Sequence, residues 1–218
     1  MRMNRQTVLD ILLETKIVAV VRMKERRKLE SAVRALRAGG IKAVEITLTT
    51  PGALEVIASL IAERAERKDS EFTVGAGTVL DGATAEEAVR AGAEFLVSPI
   101  TDPGMIEAAR RAECLVAPGA FTPTEIVQAL RAGADIVKVF PATSLGPQFF
   151  KDIRGPLPGA RLMPTGGVTP ENAPDFIHAG ACCVGIGTAL LDSGTLAAED
   201  WDGLTRKTRT LVENLGKA

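Results

Sequence analysis

Short apolar segments alternate with helical segments along the chain, and this alternation restricts the fold more than any other feature of the sequence. Eight strand-like runs are present, of which IVAVVR at 17–22 and DIVKVF at 135–140 are typical. Strands that are apolar on both faces and separated by helices indicate a parallel sheet covered by helices on both sides. The sequence therefore predicts the α/β class.

Every second helical segment ends in the same residues. The Ala-Gly pairs at 38–39, 91–92, 132–133 and 179–180 each precede an even-numbered strand, and glycine suits the left-handed position that follows a helix. A four-fold repeat of this kind favours a closed sheet, and 218 residues suffice for eight strand–helix units. We therefore expect one domain over residues 1–218, a (β/α)8 TIM barrel with an extra helix in residues 1–16 that closes the barrel bottom.

Two further expectations concern this fold. A doubly wound open sheet is the alternative, but it would carry a Gly-x-Gly-x-x-Gly segment after the first strand, and VVRMK at 20–24 offers none. Prolines that follow Thr or Asp mark helix starts, because those residues cap helices and proline fits the first helical position. These prolines are Pro51, Pro103, Pro123 and Pro170.

The charge and the cysteine content argue against several classes of protein. A net charge of −1 without a basic block disfavours nucleic acid as a partner, and no apolar run reaches the roughly 18 residues of a membrane span. Three cysteines, two of them adjacent, and the lack of a signal peptide indicate reduced thiols and a cytoplasmic protein. A single histidine, His178, and no Cys-x-x-Cys predict no metal site.

Lys138 lies in the middle of the sixth strand-like run, where a cation is costly to bury. Burial favours the neutral amine, and a neutral amine is a nucleophile toward carbonyl carbon. The structural alternative is a lysine whose stem packs in the sheet while its ammonium reaches the strand end. This strand alone does not decide between the two.

The second run, AVEITLT at 43–49, places Glu45, Thr47 and Thr49 on one face, and we expect that face to point into the barrel. Strands two and six stand opposite each other in a ring of eight, so Glu45 and Lys138 can reach a common point. A structural pair that neutralises itself is the alternative.

Further polar groups are expected at the carboxyl ends of the strands, where barrel enzymes have their active sites. Arg22 ends the first strand and could hold a carboxylate bidentately, although it could also begin the charged run at 24–27. Gly166-Gly167 and Gly185-Ile186-Gly187-Thr188 follow strands seven and eight, the usual phosphate position of this fold. Tight turns also require glycine, so each glycine pair alone is weak support.

Several segments together resemble the class I aldolases for 2-keto-3-deoxy-6-phosphogluconate (KDPG) and 4-hydroxy-2-oxoglutarate (KHG). The resemblance runs nearly end to end and is carried by AVEITLTTP at 43–51, IVKVFPA at 136–142, MPTGGVTPEN at 163–172 and VGIGTAL at 184–190, among others. It implies that Lys138 forms a Schiff base and that Glu45 is the acid/base residue. It also implies a homotrimer that acts on a phosphorylated 2-keto acid, with no cofactor.

The resemblance assigns the other residues of the pocket as well. It implies a substrate-carboxylate site at Arg22, Thr49 and Thr78, a pocket lined by Pro99, Phe140 and Thr165, and a phosphate site at Gly166, Gly167, Gly187 and Thr188. Some members of the family carry arginine where this chain has Thr49, so we transfer the main carboxylate role to Arg22.

The implied reaction cleaves KDPG to pyruvate and glyceraldehyde 3-phosphate, and KHG to pyruvate and glyoxylate. Relatives that act on the galactonate epimer tend to carry an apolar residue where this chain has Thr165, which makes that epimer the alternative substrate. A phosphate-binding isomerase or epimerase, with Glu45 as base and no covalent intermediate, is a second alternative. A non-catalytic sensor or scaffold is the third.

Overall fold

The strands form where the sequence carries short β-branched and apolar runs, and all of their pairings are parallel. The computed structural model describes residues 2–218. Within them the strands are Ile17–Val21 (β1), Ala43–Thr47 (β2), Thr73–Gly77 (β3), Phe95–Val97 (β4), Leu115–Ala117 (β5), Gly119–Ala120 (β6), Val137–Val139 (β7), Leu162–Pro164 (β8) and Val184–Ile186 (β9).

Helices connect successive strands and cover the sheet. In residues 2–218 the α-helices are Arg5–Thr15 (α1), Arg26–Ala38 (α2), Ala53–Arg67 (α3), Gly82–Arg90 (α4), Pro103–Arg111 (α5), Pro123–Ala132 (α6), Gly146–Arg154 (α7), Ala173–His178 (α8), Ser193–Ala198 (α9) and Trp201–Lys217 (α10). None of these helices is long and apolar enough to cross a lipid bilayer. The short helix α9 was not among the predicted elements.

The parallel sheet is curled. One sheet has the order β5-β4-β3-β2-β1-β9, and a second has the order β6-β7-β8. Thr165, directly after β8, bridges Gly185 of β9. At the other end, Pro118 lies between β5 and β6, and its carbonyl accepts a hydrogen bond from the Lys138 N–H of β7 at 2.9 Å. The last strand therefore lies beside the first, an order that the doubly wound alternative does not have, and the predicted α/β class is confirmed.

Side chains alternate between the two faces of the sheet and form two apolar clusters. In β1, Ile17, Ala19 and Val21 pack toward the helices, whereas Val18 belongs to an inner cluster. The inner cluster joins the amino ends of the strands to helix α1 and includes Val8, Leu9, Leu12, Ala43, Phe95, Leu115, Ile136 and Met163. Apolar side chains thus fill the inner face at the amino ends of the strands. The polar side chains of the inner face lie at the carboxyl ends.

Three of the four glycines at the helix ends have the backbone conformation that the repeat predicts. Gly92, Gly133 and Gly180 have φ angles between 101° and 106°, in the left-handed region, whereas in the first repeat Gly39 is right-handed at φ −81° and Gly40 adopts the left-handed conformation at 102°. Each precedes a residue whose N–H bonds back to the helix, as Ala93 does to the Ala88 carbonyl at 3.0 Å. Every second helix therefore passes into the following strand through the same kind of tight glycine turn.

Two of the four helix starts marked by proline are confirmed. Pro103 and Pro123 open α5 and α6, which are capped by Asp102 and Thr122. The prediction for Pro51 is wrong, because Gly52 turns through a left-handed conformation at φ 69° and α3 begins one residue later.

The prediction for Pro170 is also wrong, and hydrogen bonds around it explain why. Thr169 and Asn172 bond to each other through their side chains and backbone N–H groups, at 2.8 and 3.3 Å. These bonds form a turn before the helix, so α8 begins at Ala173.

Candidate active site

A cavity of about 370 Å³ lies at the carboxyl ends of the strands. Its lining comes from β1, β2, β7 and β9 and from the segments that follow several strands. The lining residues are Val20, Arg22, Glu45, Thr78, Pro99, Lys138, Phe140, Thr165, Gly166, Gly167, Val168, Gly185, Gly187, Thr188 and Leu191. Every site residue predicted from the sequence is in this set except Thr49.

Lys138 points into this cavity because its neighbours in β7 point the other way. Val137 and Val139 belong to the apolar cluster that packs toward the helices, and alternation turns the residue between them inward. The side chain is buried, with a relative exposure of 5 %. Its Nζ lies 5.0 Å from the centroid of the Phe140 ring, a cation–π distance.

Glu45 reaches the same cavity from β2, where it is level with Val20 of β1 and Gly75 of β3. Its exposure is 1 %, and its Oε2 has no hydrogen-bond partner among residues 2–218. Burial raises the pKa of this carboxyl, while the nearby charges of Lys138 and Arg22 oppose the shift. A buried carboxyl of this kind holds a proton more readily than one in water, as a proton-transfer group requires.

Gly77 makes room for the Glu45 side chain. A Cβ built on Gly77 would overlap the Glu45 carboxyl group. Because the carboxyl lies directly against the β3 backbone, any side chain at this position would push it away.

Lys138 and Glu45 form no ion pair with each other or with any other described residue, although both line one cavity. The alternative of a self-neutralising structural pair requires a direct contact, which is missing here. The Lys138 side chain is buried and lines the cavity, so its amine faces the cavity rather than the outer surface of the protein.

Thr165 and Thr78 add two hydroxyl groups to the cavity wall. The Thr165 Oγ1 is buried and has no partner among residues 2–218. Thr78 follows β3 with a φ of 60°, a left-handed conformation that costs a β-branched residue about 1–2 kcal/mol. Such strain is typical of residues that the surrounding fold holds in place for function.

Two glycine-containing loops form one end of the cavity. Gly166 and Gly167 both have left-handed φ angles, 83° and 77°. In the two loops the backbone N–H groups of Gly167, Val168, Thr188 and Ala189 donate to no partner within the described chain. Unbonded backbone N–H groups beside a cavity suit an anion such as phosphate.

Arg22 lies at the cavity mouth, exposed, where β1 ends. Its guanidinium makes no ion pair or side-chain hydrogen bond within residues 2–218. Thr49 is exposed and lies outside the cavity lining, with its hydroxyl 3.1 Å from that of Thr47. Thr47 itself is buried and also bonds to Thr50. The structure therefore brings Arg22, but not Thr49, to the other predicted residues.

Three of the lining residues were not predicted from the sequence, and Gly185 was expected in the loop after the last strand, whereas it lies within β9. Val20 could have been found, since it shares the inward face of β1 with Arg22. Gly185 pairs with Val18 and bridges Thr165, which only the strand register reveals. Val168 and Leu191 line the cavity from loops that carry no signal in the sequence.

A second groove, of about 490 Å³, lies near the amino ends of β2 and β3. All of its charged side chains except Arg34 form ion pairs, as in the contacts of Arg37 with Asp69 and of Lys42 with Glu71. The carboxyl-end cavity is therefore the better candidate, because its charged groups have no partners. No cluster of His, Cys, Asp or Glu able to hold a metal ion occurs in residues 2–218.

The fold defines the class of the protein, an α/β protein with a curled parallel sheet, and its cavity holds a buried amine and a buried carboxyl. The family model for KDPG and KHG aldolase matches residues 8–207. The chain is 35% identical over 206 residues to 2-dehydro-3-deoxy-phosphogluconate aldolase of Pseudomonas aeruginosa, covering 94% of this chain and 91% of that protein. It is 32% identical over 179 residues to 2-dehydro-3-deoxy-6-phosphogalactonate aldolase of Escherichia coli K12, covering 82% and 85%.

A solved structure supports the same relationship. KDPG aldolase from Legionella pneumophila, with pyruvate captured as a covalent carbinolamine intermediate, superposes with a TM-score of 0.83 at 28% identity. The superposition covers 92% of this chain and 96% of that one. The chain therefore belongs to the KDPG and KHG aldolase family, whose members are lyases, and the resemblance inferred from its motifs is confirmed.

Proposed function

We propose that this chain is a Schiff-base aldolase that cleaves KDPG to pyruvate and glyceraldehyde 3-phosphate, and KHG to pyruvate and glyoxylate. One observation carries the proposal: Lys138 and Glu45 are both buried in a single cavity and neither has an ion-pair partner. The family membership and the covalent pyruvate intermediate of the Legionella relative support the same chemistry.

Lys138 is the proposed nucleophile. Its amine attacks the C2 ketone of the substrate, and loss of water from the carbinolamine gives an iminium ion. The positively charged nitrogen then accepts the electron pair when the C3–C4 bond breaks. The remaining enamine is protonated, and hydrolysis releases pyruvate and the free amine.

Glu45 is the proposed proton carrier. It donates a proton when the carbinolamine loses water and accepts the proton of the C4 hydroxyl, directly or through water, when the carbon–carbon bond breaks. Burial raises its pKa, which supports both roles because the group must gain and lose a proton in one cycle. Because Gly77 has no side chain, the Glu45 carboxyl can lie directly against the β3 backbone.

Arg22 is the proposed partner of the substrate carboxylate. Its guanidinium is unpaired at the cavity mouth and can bind a carboxylate through two parallel hydrogen bonds. Thr78 would add a hydroxyl to the same end, with Pro99 and Phe140 as apolar walls around the reacting carbons. Gly166, Gly167, Gly187 and Thr188 would hold the phosphate through backbone N–H groups and a hydroxyl.

Thr165 supports the gluconate series over the galactonate epimer. Its buried hydroxyl has no partner among residues 2–218, so a substrate hydroxyl that bonds to it relieves the cost of an unsatisfied polar group. The similarity to an Escherichia coli galactonate aldolase keeps the epimer as the second candidate substrate.

We also propose a closed barrel, a homotrimer and a cytoplasmic location for this protein. The two sheets close into one (β/α)8 barrel that forms a single domain, with helix α1 covering its amino end. The Thr165–Gly185 bridge and the Lys138-to-Pro118 hydrogen bond support closure at the two seams. The three free cysteines are consistent with the cytoplasmic location.

Turnover assays with inhibition by borohydride test the function. The protein should release pyruvate from KDPG, from KHG and, more slowly, from the galactonate epimer. Pyruvate and borohydride added together should abolish that activity, whereas either reagent alone should not. An isomerase or epimerase would instead turn over a sugar phosphate without releasing pyruvate, and a non-catalytic barrel would turn over none of the substrates.

A further inference from the structure

A side chain of the last helix fixes the loop that carries Thr188 from outside the cavity. Lys207 of α10 donates through its Nζ to the Ala189 carbonyl at 2.6 Å and to Asp192 Oδ2 at 3.2 Å. Ala189 directly follows Thr188, and Asp192 caps α9 by accepting a hydrogen bond from the Thr195 N–H at 2.9 Å. One ammonium group therefore connects the middle of this loop to its far end.

Within the loop, the peptide that Lys207 binds also holds the turn together. The Gly187 carbonyl accepts hydrogen bonds from the N–H groups of Leu190 and Leu191, both at 2.9 Å. The Leu190 N–H belongs to the same peptide group as the Ala189 carbonyl. A cation on that carbonyl polarises the peptide and strengthens its N–H donor. The turn leaves the N–H groups of Thr188 and Ala189 without a partner in the described chain.

The opposite loop is fixed in a similar way but without a charge. Asn172 donates through its Nδ2 to the Gly167 carbonyl at 2.9 Å and accepts from the Thr169 N–H at 2.8 Å. In both loops a side chain outside the cavity binds a carbonyl, and the free N–H groups of the loop remain for a ligand. Only the loop after β9 is held by a charged group, the Lys207 ammonium, which also pairs with the Asp192 carboxylate at 3.2 Å.

We propose that Lys207 is a positioning residue for the phosphate of the substrate, a role that rests on the proposed function. It holds the turn of residues 187–191, in which the N–H groups of Thr188 and Ala189 have no partner among residues 2–218, and its ammonium lies on the Ala189 carbonyl. A phosphate dianion gains from both effects, whereas a substrate without phosphate does not use this end of the cavity. Lys207 therefore sets the preference for phosphorylated over unphosphorylated substrates.

The test compares KM for KDPG and for KHG in Lys207→Met, with Arg209→Met as the matched control. Arg209 lies on the same helix, but it donates to the Ala38 carbonyl, outside the cavity lining. We expect Lys207→Met to raise KM for KDPG about tenfold, the usual effect of losing a hydrogen bond from a charged group. KM for KHG and both kcat values should stay within about twofold. Arg209→Met should leave all four constants unchanged.

A conservative variant separates positioning from general stability. Lys207→Arg keeps a cationic donor, so KM for KDPG should return to within about threefold of the wild-type value. Lys207→Gln serves if the methionine variant does not fold, because glutamine keeps a donor and removes the charge. It should still raise KM for KDPG selectively, and inorganic phosphate should inhibit KHG cleavage more weakly than in the wild type.

Two results would overturn the proposal for Lys207. One is an equal rise of KM for both substrates, which indicates a merely structural role. The other is an unchanged KM for KDPG in both uncharged variants. Failure of the proposed function looks different, because the wild-type protein itself would then release no pyruvate from either substrate.

Discussion

Two acidic groups are buried at opposite ends of the same sheet, and they differ in how their hydrogen bonds are filled. At the amino end, Glu94 accepts from Arg64 at 2.5 and 2.6 Å, from the Thr73 hydroxyl at 3.0 Å and from the Met3 N–H at 2.7 Å. At the carboxyl end, Glu45 is equally buried, and its Oε2 has no partner in residues 2–218.

This difference indicates that the Glu94 carboxylate stabilises the fold, whereas the Glu45 carboxyl is available for chemistry with a substrate. A buried carboxylate is tolerated when several donors surround it, and the Glu94 cluster ties helix α3, strand β3 and the N-terminal segment together. The unsatisfied carboxyl of Glu45 and the buried amine of Lys138 cost stability and contribute no such bonds. This loss of stability is explained if a substrate supplies the missing hydrogen-bond partners. Substitution at the amino end should therefore lower stability, whereas substitution at the carboxyl end should lower activity.

The largest effect is expected for Lys138→Met. Without the amine there is no Schiff base, so KDPG cleavage should fall by about four orders of magnitude or more. The free energy of unfolding should stay the same or rise, because methionine fills the space without burying a polar group. Steady-state kinetics and urea unfolding measure the two quantities. Lys151→Met, on the exposed surface of α7, is the control and should change neither.

Glu94→Ala should have the next largest effect, on stability rather than on chemistry. The change leaves the Arg64 guanidinium buried without its carboxylate, which typically costs about 3–5 kcal/mol. Urea unfolding measures the loss, and activity per folded molecule should remain near that of the wild type. A loss of less than about 1 kcal/mol would show that the amino-end cluster does not have the structural role assigned to it.

Glu45→Gln should lower kcat about 10²- to 10³-fold, because an amide cannot carry a proton between the two steps. Substrate binding should change far less. A kcat that stays within a few-fold of the wild type would assign proton transfer to another group.

The same variant should change how stability depends on pH. Burial raises the pKa of Glu45, so the folded state binds its proton more tightly than the unfolded state. The free energy of unfolding should therefore fall as pH rises from the usual range of a carboxyl through the raised pKa, and Glu45→Gln should remove this contribution. Urea titrations of both proteins from about pH 4 to 8 test this. A difference that does not change with pH would contradict it.

Gly77→Ala should lower kcat about tenfold, since the new methyl group overlaps the Glu45 carboxyl and displaces it. Gly159→Ala is the matched control, because a Cβ there meets nothing within 4 Å. The pH profile of kcat should shift in Gly77→Ala alone. Equal behaviour of the two variants would show that the fit of Glu45 against β3 does not matter for catalysis.

The smallest effect is expected for Arg22→Ala. The residue is exposed, so solvent already weakens its interactions, and loss of the carboxylate contact should weaken pyruvate binding about tenfold or less. In the condensation direction, KM for pyruvate should rise more than KM for the aldehyde. An equal rise for both would argue against a carboxylate role.

Much of this site could be predicted because strand alternation is a strict rule. Lys138 and Glu45 each stand between apolar residues that pack outward, so their inward direction follows from the sequence. Thr49 shows where the rule ends: β2 stops at Thr47, and the turn that follows no longer alternates. The left-handed Gly52 and the hydrogen bonds between Thr169 and Asn172 also moved two helix starts, and both are details of turn geometry that a Thr-Pro pair does not reveal.

Lys207 could not have been found from the sequence. It lies 19 positions after Thr188, in a helix whose charged residues are ordinary for a surface. Only the packing of α10 against the loop after β9 brings its amine to the Ala189 carbonyl.

Peptide mapping of the borohydride-reduced protein tests the central claim most directly. After treatment with pyruvate and borohydride, the wild-type protein should carry one added 1-carboxyethyl group, and the fragment that contains Lys138 should bear all of it. Lys138→Met should gain no mass under the same conditions. A wild-type protein that remains unmodified while it releases pyruvate, or a modification on another lysine, would contradict the assignment of Lys138 as the nucleophile.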